Sequence, residues 1–341
     1  MPIDPGALQQ VDVLLTAACA GTMAFLGDDP AAGPQLGLAQ TCVDTERLRV
    51  VVEESPVDER HPPGPSQQDR WTEPCAVPAS EGGVCVPGGV TILGSTELTL
   101  IPDLPPVPER IVRLSPFVMD ADEVTVARFR AALEAGFSPP TNVQLNEGPL
   151  AGTVAGNCTF STTDQGRESH PLNCVDWFTA DAFCAWAGGT LPSEAQWEHA
   201  ATLAGERGLS TYPSGEAPPT CEQAVHGRLD FQTPGVCTHL DAVPEAVDAA
   251  GDITPLGLRG LAGNVSEWQR DHHADYASPC WTQSSSLDPL CVDESVILRA
   301  MRGGSWPAPP TILPSAVRQG ADSSGSASFI GWRCVYPSEA P

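Results

Sequence analysis

The chain has 341 residues, 43 of them acidic and 17 basic, for a formal charge of −26. That excess excludes nucleic acid and anionic membranes as partners, because phosphate recognition needs clustered cations. Every basic residue is arginine, which also excludes Schiff-base lysine chemistry and a phosphate-loop lysine, and hints at a GC-rich bacterial genome. An apolar share of 41% suffices for a core, while 35 Pro and 32 Gly put much of the chain into loops and turns. No apolar run reaches transmembrane length.

In chain order, residues 1–53 form a segment of unknown role. Residues 1–18 contain no Lys or Arg and the apolar run Val11–Ala18 is short, so no signal peptide is evident. Leu15-Thr16-Ala17-Ala18-Cys19 is faintly similar to a lipoprotein cleavage site but lacks the positive region before it. Leu48-Arg49-Val50-Val51-Val52 reads as a strand. Residues 54–83, rich in Pro, Glu, Gln and Ser around His61-Pro62-Pro63-Gly64-Pro65, have the chemistry of a linker. A compact domain is expected over 84–341. Val90–Gly94 and Arg110–Leu114 read as strands. Glu123–Ala135 reads as a helix, with Val126, Phe129 and Leu133 at helical spacing. A second helix is expected over Thr179–Ala187, closed by Gly188. A third opens at Ser193, with Gln196 completing a capping box, and runs towards Leu203 and Gly205. Loops and short strands follow.

Twelve cysteines are spread along the chain, with no C-x-x-C pair and no H-E-x-x-H. Twelve free thiols would be a redox liability in the cytosol, so an extracytoplasmic, oxidising location is expected. The alternative is that Cys merely stands in for small apolar core residues. Seven of the eight Trp fall between Trp177 and Trp332, and most of them are expected in the core.

Four segments follow one another in a telling order. They are Asp122-Glu123-Val124-Thr125-Val126-Ala127-Arg128-Phe129-Arg130 after Leu114-Ser115-Pro116-Phe117; His170-Pro171-Leu172-Asn173-Cys174-Val175-Asp176-Trp177 with Ala182 to Glu198; Gly257 to Trp268; and Arg302-Gly303-Gly304-Ser305-Trp306 closing with Gly331-Trp332-Arg333-Cys334. Together they resemble the formylglycine-generating (sulfatase-modifying factor) superfamily, which also holds the ergothioneine sulfoxide synthases. The resemblance covers about 84–337 and implies an α+β, C-type-lectin-like fold: a small antiparallel sheet, two main helices, abundant loop and disulfide staples.

The resemblance also implies which residues would carry chemistry. Members that make formylglycine bind copper through two cysteines just after the Gly-Gly-Ser motif; here Ala308 and Leu313 stand in their places, and no Cys lies between Cys291 and Cys334. Neither replacement offers the soft thiolate that Cu(I) prefers, so copper is not expected. Ser266 replaces a Trp that lines the family's oxygen site. The iron of the sulfoxide synthases has no helical histidine site here, since the seven His are scattered and His272-His273 forms the densest group. The family's structural calcium would fall on Glu267 with the carbonyls of Gly263 and Val265, although Gly260 replaces an Asn ligand. A second calcium site near Ala224-Val225 has no matching ligands. The family joins the helix cysteine, here Cys184, to the closing-strand cysteine, here Cys334. Subtracting that pair leaves the neighbours Cys158 with Cys174, Cys221 with Cys237, Cys280 with Cys291, Cys75 with Cys85 and Cys19 with Cys42, a connectivity that sequence alone leaves open.

The expected function is therefore a binding or scaffold module that reuses the family's groove for a peptide, protein or glycan, without formylglycine-generating activity. The alternative is an enzyme of the superfamily with a different oxidative chemistry, using Ser305, Arg302, His272 and His273. Oligomeric state is left open.

Overall fold

The computed structural model describes residues 72–76, 82–96, 98, 106–146, 157–202, 211–229, 236–249 and 251–338. The segment 1–53, with its expected strand and the Cys19–Cys42 pair, lies outside the described residues. The unit that concerns us runs from Thr72 to the C-terminus.

The compact domain starts earlier than composition suggests. Strand β1 (Thr72–Glu73) pairs antiparallel with β3 (Gly88–Leu93), and Cys75 bridges to Cys85 in β2 (Gly83–Val86). The boundary expected at 84 is thus corrected to Thr72, because a disulfide and a strand pairing bind the end of the Pro-rich stretch to the domain. Strand β4 (Arg110–Leu114) has the expected span and pairs with β3, placing Val112 and Leu114 inward while Ile111 and Arg113 face out. Strand β5 (Phe117–Asp120) is buried at every position. It lies between β2 and the last strand β10 (Val335–Pro337).

Three helices follow the sequence pattern with shifted ends. Helix α1 spans Val126–Glu134, shorter than the expected Glu123–Ala135, because the Thr125 side chain caps it by accepting from the Arg128 N–H. The preceding residues stay extended, held by Val124 N–H to the Trp332 carbonyl and Leu172 N–H to the Val124 carbonyl. Helix α2 (Trp177–Trp186) starts before the expected Thr179, since Asp176 is the cap and accepts from the Thr179 N–H. Gly188 follows at φ +84°, the left-handed geometry that closes a helix. Helix α3 (Glu194–Ala201) opens with the expected Ser193/Gln196 capping box but ends before Leu203.

The second half builds one mixed sheet in the order β8–β7–β6–β9, from β6 (Ser266–His272), β7 (Leu298–Arg302), β8 (Arg318–Asp322) and β9 (Ile330–Gly331). Pairing is antiparallel except β6 with β9, which is parallel. A one-turn helix α4 (Pro279–Thr282) sits before β7.

The core is aromatic because the helices are short. Phe129 of α1 packs against Phe183 of α2 at 5.9 Å between ring centres, with Phe160 and Trp332 edge-on at 5.5 and 6.4 Å. Such pairs add about 0.5–1.5 kcal/mol beyond their buried area. Trp197, Trp268, Trp281, Trp306 and Trp332 are all buried, as expected; Trp186 is the exception and is exposed.

Five disulfides close the described residues: Cys75–Cys85, Cys158–Cys174, Cys184–Cys334, Cys221–Cys237 and Cys280–Cys291. Cys184–Cys334 ties α2 to the residue just before β10 across 150 residues of chain. Closing so long a loop removes much freedom from the unfolded chain. Replacing Cys184 and Cys334 together by Ala is expected to lower the unfolding free energy by about 2–5 kcal/mol, read by denaturant titration. An unchanged midpoint would show that the bridge contributes nothing.

Candidate functional site

The Gly-Gly-Ser turn follows directly on β7. Gly303 sits at φ +80° between β7 and the loop, where a Cβ would lie 2.8 Å from the Leu261 carbonyl. At Gly304 a Cβ would lie 2.3 Å from Leu313 Cδ2 and 2.4 Å from the Ala262 carbonyl, so Leu313 packs directly on the turn. Ala308 and Leu313, which the resemblance places at the copper positions, are both buried. Cys291 and Cys334, the cysteines flanking this stretch, are bound in disulfides. Hydrocarbon therefore fills both positions. Ser266 donates to the carbonyls of Gly303 (3.2 Å) and Gly304 (3.4 Å), and Gln319 Nε2 donates to Gly303 at 2.9 Å.

Arg302 is spent on structure. It is fully buried, with Nε on Glu194 (3.0 Å), Nη2 on Glu198 (2.7 Å) and the Tyr276 hydroxyl (2.9 Å), and Nη1 on the carbonyls of Ser315 and Val317. Arg318 adds a bidentate pair to Glu194, 2.7 Å on each oxygen. Burial alone would raise the Glu194 carboxyl, but Arg318 and Arg302 override it and hold it down at about 2. The network clamps α3 onto β7 and β8.

His272 and His273 do not converge. His272 Nδ1 accepts from the Asp293 N–H at 3.2 Å and lies 3.4 Å from Arg299, whereas the His273 ring covers Gly320, where a Cβ would lie 2.3 Å from its Cδ2. Burial, then Arg299, lowers the His272 pKa. Ser305 is buried, its carbonyl turning the loop by accepting from the Ala308 N–H. Arg302, Ser305 and His272 each have different hydrogen-bond partners, and His273 packs on Gly320. Among the described residues no group of three or more His, Cys, Asp or Glu is placed to hold a metal ion.

The expected calcium set does not fit an ion. Glu267 is fully buried, with Arg333 Nε on both of its oxygens (2.8 and 2.9 Å), Arg333 Nη2 at 2.6 Å and Trp197 Nε1 at 2.8 Å. A guanidinium already neutralises that carboxylate. Gly263 packs against the Val225 backbone, where a Cβ would lie 2.6 Å from the carbonyl, and Gly260 supplies no side-chain oxygen. The carbonyl of Val225 at the second expected site accepts from the Asn264 N–H.

Sequence reading missed Asp252, and saw Asp271 only as a neighbour of the His272-His273 group. Asp252 accepts the N–H groups of Gly260 (2.6 Å) and Ala262 (2.7 Å), and Asp271 those of Glu194 and Cys291 (both 2.8 Å). Burial sets both apart, Asp252 in a loop and Asp271 in β6, and burial of an acid has no local mark in the sequence. Also missed is a cleft of about 450 Å³ lined by Gly82, Asp120, Asp122, Glu123, Thr125, Arg128, Ala187 and Tyr336. Its signal was present in the Asp122-Glu123 start of the first motif, read there only as a helix start.

Loop-rich α+β domains with this four-motif turn and a strand-to-helix disulfide define a class related to sulfatase modification. The profile of the Sulfatase-modifying factor enzyme 1-like domain matches residues 70–337. A formylglycine-generating enzyme of Streptomyces coelicolor is 30% identical over 309 residues, covering 80% of this chain and 92% of that one. A hercynine oxygenase of Mycolicibacterium smegmatis is 28% identical over 292 residues, covering 76% and 63%. The fold is shared with PvdO from Pseudomonas aeruginosa, TM-score 0.58 at 23% identity, covering 77% of this chain and 98% of that one. The chain belongs to the Sulfatase-modifying factor enzyme 1-like family.

Asp271 is pushed up to about 7 by burial and by repulsion from Glu194, and Asp252 to about 7 by burial. A carboxyl whose folded pKa exceeds its unfolded value favours the fold while protonated, and that contribution is lost as pH rises through about 7. Glu194 works the other way, stabilising above its ordinary range and failing only as pH falls through about 2. The unfolding temperature is expected to decline from about pH 5 to about pH 8, and Asp271→Asn to flatten that decline. A curve that rises over this range would contradict the assignment.

Proposed function

We propose that this chain is an exported, disulfide-stapled binding protein of the family that does not carry out copper-dependent oxidation of cysteine. The observation that carries the reading is the hydrocarbon at the thiolate positions: Ala308 and Leu313 are buried, and Leu313 packs on Gly304. Oxidation of a client cysteine through Cu(I) needs a soft sulfur ligand, and none lies between Cys291 and Cys334. Five disulfides support an oxidising compartment as the site of action. In the described residues no helix is long and apolar enough to cross a membrane. Structural calcium has no part in the reading, because the Glu267 carboxylate is already neutralised by Arg333. The ligand it implies is a peptide, protein or glycan held by surface contacts, with Arg302 and Ser305 serving the fold.

The test is aerobic incubation of the purified protein with a Cys-x-Pro-x-Arg peptide, with and without copper, followed by mass spectrometry. No conversion is expected. A loss of about 18 daltons at the cysteine, the shift from thiol to aldehyde, would overturn the reading.

A further inference from the structure

The five disulfides of the described residues do not share the same surroundings. Cys158–Cys174 and Cys184–Cys334 are buried at both ends, out of reach of a reagent. In Cys75–Cys85 the Cys75 sulfur faces the carbonyl oxygens of Phe117 (3.6 Å) and Val86 (3.9 Å), which only accept and would repel a thiolate. In Cys280–Cys291 the half-buried Cys280 is the end open to attack, so the buried Cys291 would leave. It would leave beside Asp271, whose Oδ1 accepts the Cys291 N–H at 2.8 Å. An acid is a poor neighbour for a thiolate.

Cys221–Cys237 is arranged the other way. Cys221 is half-buried, beside the exposed Glu222 and Gln223, while Cys237 is fully buried next to the exposed Val236. At 3.9 Å from the Cys237 sulfur lies Nε2 of His226, a ring that is itself only 2% exposed. The same Nε2 lies 3.2 Å from the Pro219 carbonyl, and since a carbonyl only accepts, Nε2 carries the ring hydrogen. Burial lowers the His226 pKa, so the imidazole is neutral and keeps that hydrogen in place. A donor thus stands within reach of the buried sulfur, while the other sulfur is the one nearer solvent. A neighbouring donor stabilises a thiolate, and a thiol of lower pKa leaves faster in exchange.

We propose that Cys221–Cys237 is a site of thiol–disulfide exchange with an external dithiol, and that its opening loosens the turn from Ser305 to Ala308. A thiolate of the dithiol bonds to Cys221 Sγ, and the bridge breaks with its electron pair on Cys237, which accepts from the His226 N–H. The second thiol of the dithiol then displaces Cys221. Two electrons pass to the bridge, the dithiol ends as a disulfide, and its two protons end on Cys221 and Cys237. The effect on the turn follows from the backbone. Cys237 N–H donates to the Gly227 carbonyl (3.0 Å), Gly227 N–H to the Ala308 carbonyl (2.8 Å) and Arg228 N–H to the Trp306 carbonyl (3.0 Å). Gly227 lets Val236 approach closely, since a Cβ there would lie 3.0 Å from Val236 Cγ2. The bridge therefore holds the segment that in turn holds Trp306 and Ala308, and without it a few backbone hydrogen bonds do that alone. The proposal goes beyond the reading of a binding protein and fails separately from it. Aldehyde formation would remove that reading and leave exchange at this bridge untouched.

The experiment treats the full-length, oxidised protein with dithiothreitol under native conditions, traps thiols with N-ethylmaleimide at intervals and maps the peptides. Cys221 and Cys237 are expected to be labelled at least about tenfold faster than the cysteines of the other four described bridges. With glutathione in place of the dithiol, the mixed disulfide is expected on Cys221 and not on Cys237. His226→Leu is expected to slow opening by about threefold or more, and His226→Gln, which keeps an N–H donor, to recover part of that loss. Hydrogen exchange of the Gly227 and Arg228 amides is expected to rise by about tenfold on selective reduction, with Phe129 and Phe183 unchanged. Earlier or simultaneous opening of another of these bridges, glutathione on Cys237, or unaltered exchange at Gly227 and Arg228 would overturn the proposal. So would an undiminished rate in a folded His226→Leu protein; should that variant not fold, the three measurements on the unsubstituted protein decide.

Discussion

Two buried guanidiniums hold together a domain that has too little regular structure to hold itself. Arg333 lies just before the closing strand and reaches Glu267 of β6, the carbonyls of Asp120 and Ala121, and the carbonyl of Arg259. One side chain thus joins the start of the α1 segment, the Gly-Asn loop and the C-terminal strand. Arg302 does the same for α3, Tyr276 and the loop before β8. Such ions repay their desolvation only because each N–H finds an acceptor. Removing one partner leaves a naked charge in the interior, which costs about 3–5 kcal/mol. Arginine suits this better than lysine, since its planar fork serves several acceptors in fixed directions.

The covalent and aromatic layers divide the remaining work. Disulfides of short span, such as Cys158–Cys174 and Cys280–Cys291, tie loops locally, while Cys184–Cys334 closes the domain from α2 to its end. Phe129, Phe183 and Trp332 fill the space between the two largest helices and the last strands. Polar side chains finish the loops from inside. Asn173 is completely buried, accepts the Thr159 N–H at 2.8 Å, and donates to the carbonyls of Asn157 and Ser328. Loops with this many internal partners can be rigid without being helical or extended.

How much of this could be read beforehand differs by level. The third helix was legible because Ser193 and Gln196 are a local signal, and β4 because its alternation is local too. The ends of α1 and α2 were missed although their caps are local too, Thr125 accepting from the Arg128 N–H and Asp176 from the Thr179 N–H, because neither has the reciprocal Gln or Glu that makes a capping box stand out. The start of the domain was hidden because Pro-rich composition outweighs one cysteine, although Cys75 pairs across to β2. Of the site, the missing sulfur at Ala308 and Leu313 was visible in the sequence. The fates of Arg302 and Glu267 were not: an Arg in a Gly-Gly-Ser motif looks reactive until its five N–H groups are counted against Glu194, Glu198 and two carbonyls. The burial of Asp252, Asp271 and Glu123 escaped notice because it has no local signature in an acid-rich chain.

That division also runs through the motifs themselves. The motif residues that carry the resemblance are mostly structural here: Glu267 neutralises Arg333, Arg302 and Arg318 together neutralise Glu194 and Glu198, and Gly303 and Gly304 let Leu261, Ala262 and Leu313 approach. Leu313 packs against Gly304, and Ser266 donates to the Gly303 and Gly304 carbonyls, so the turn is closed by apolar contact and by its own hydrogen bonds. Residues spent in this way specify the fold, and a shared fold leaves the chemistry to be argued from the site itself.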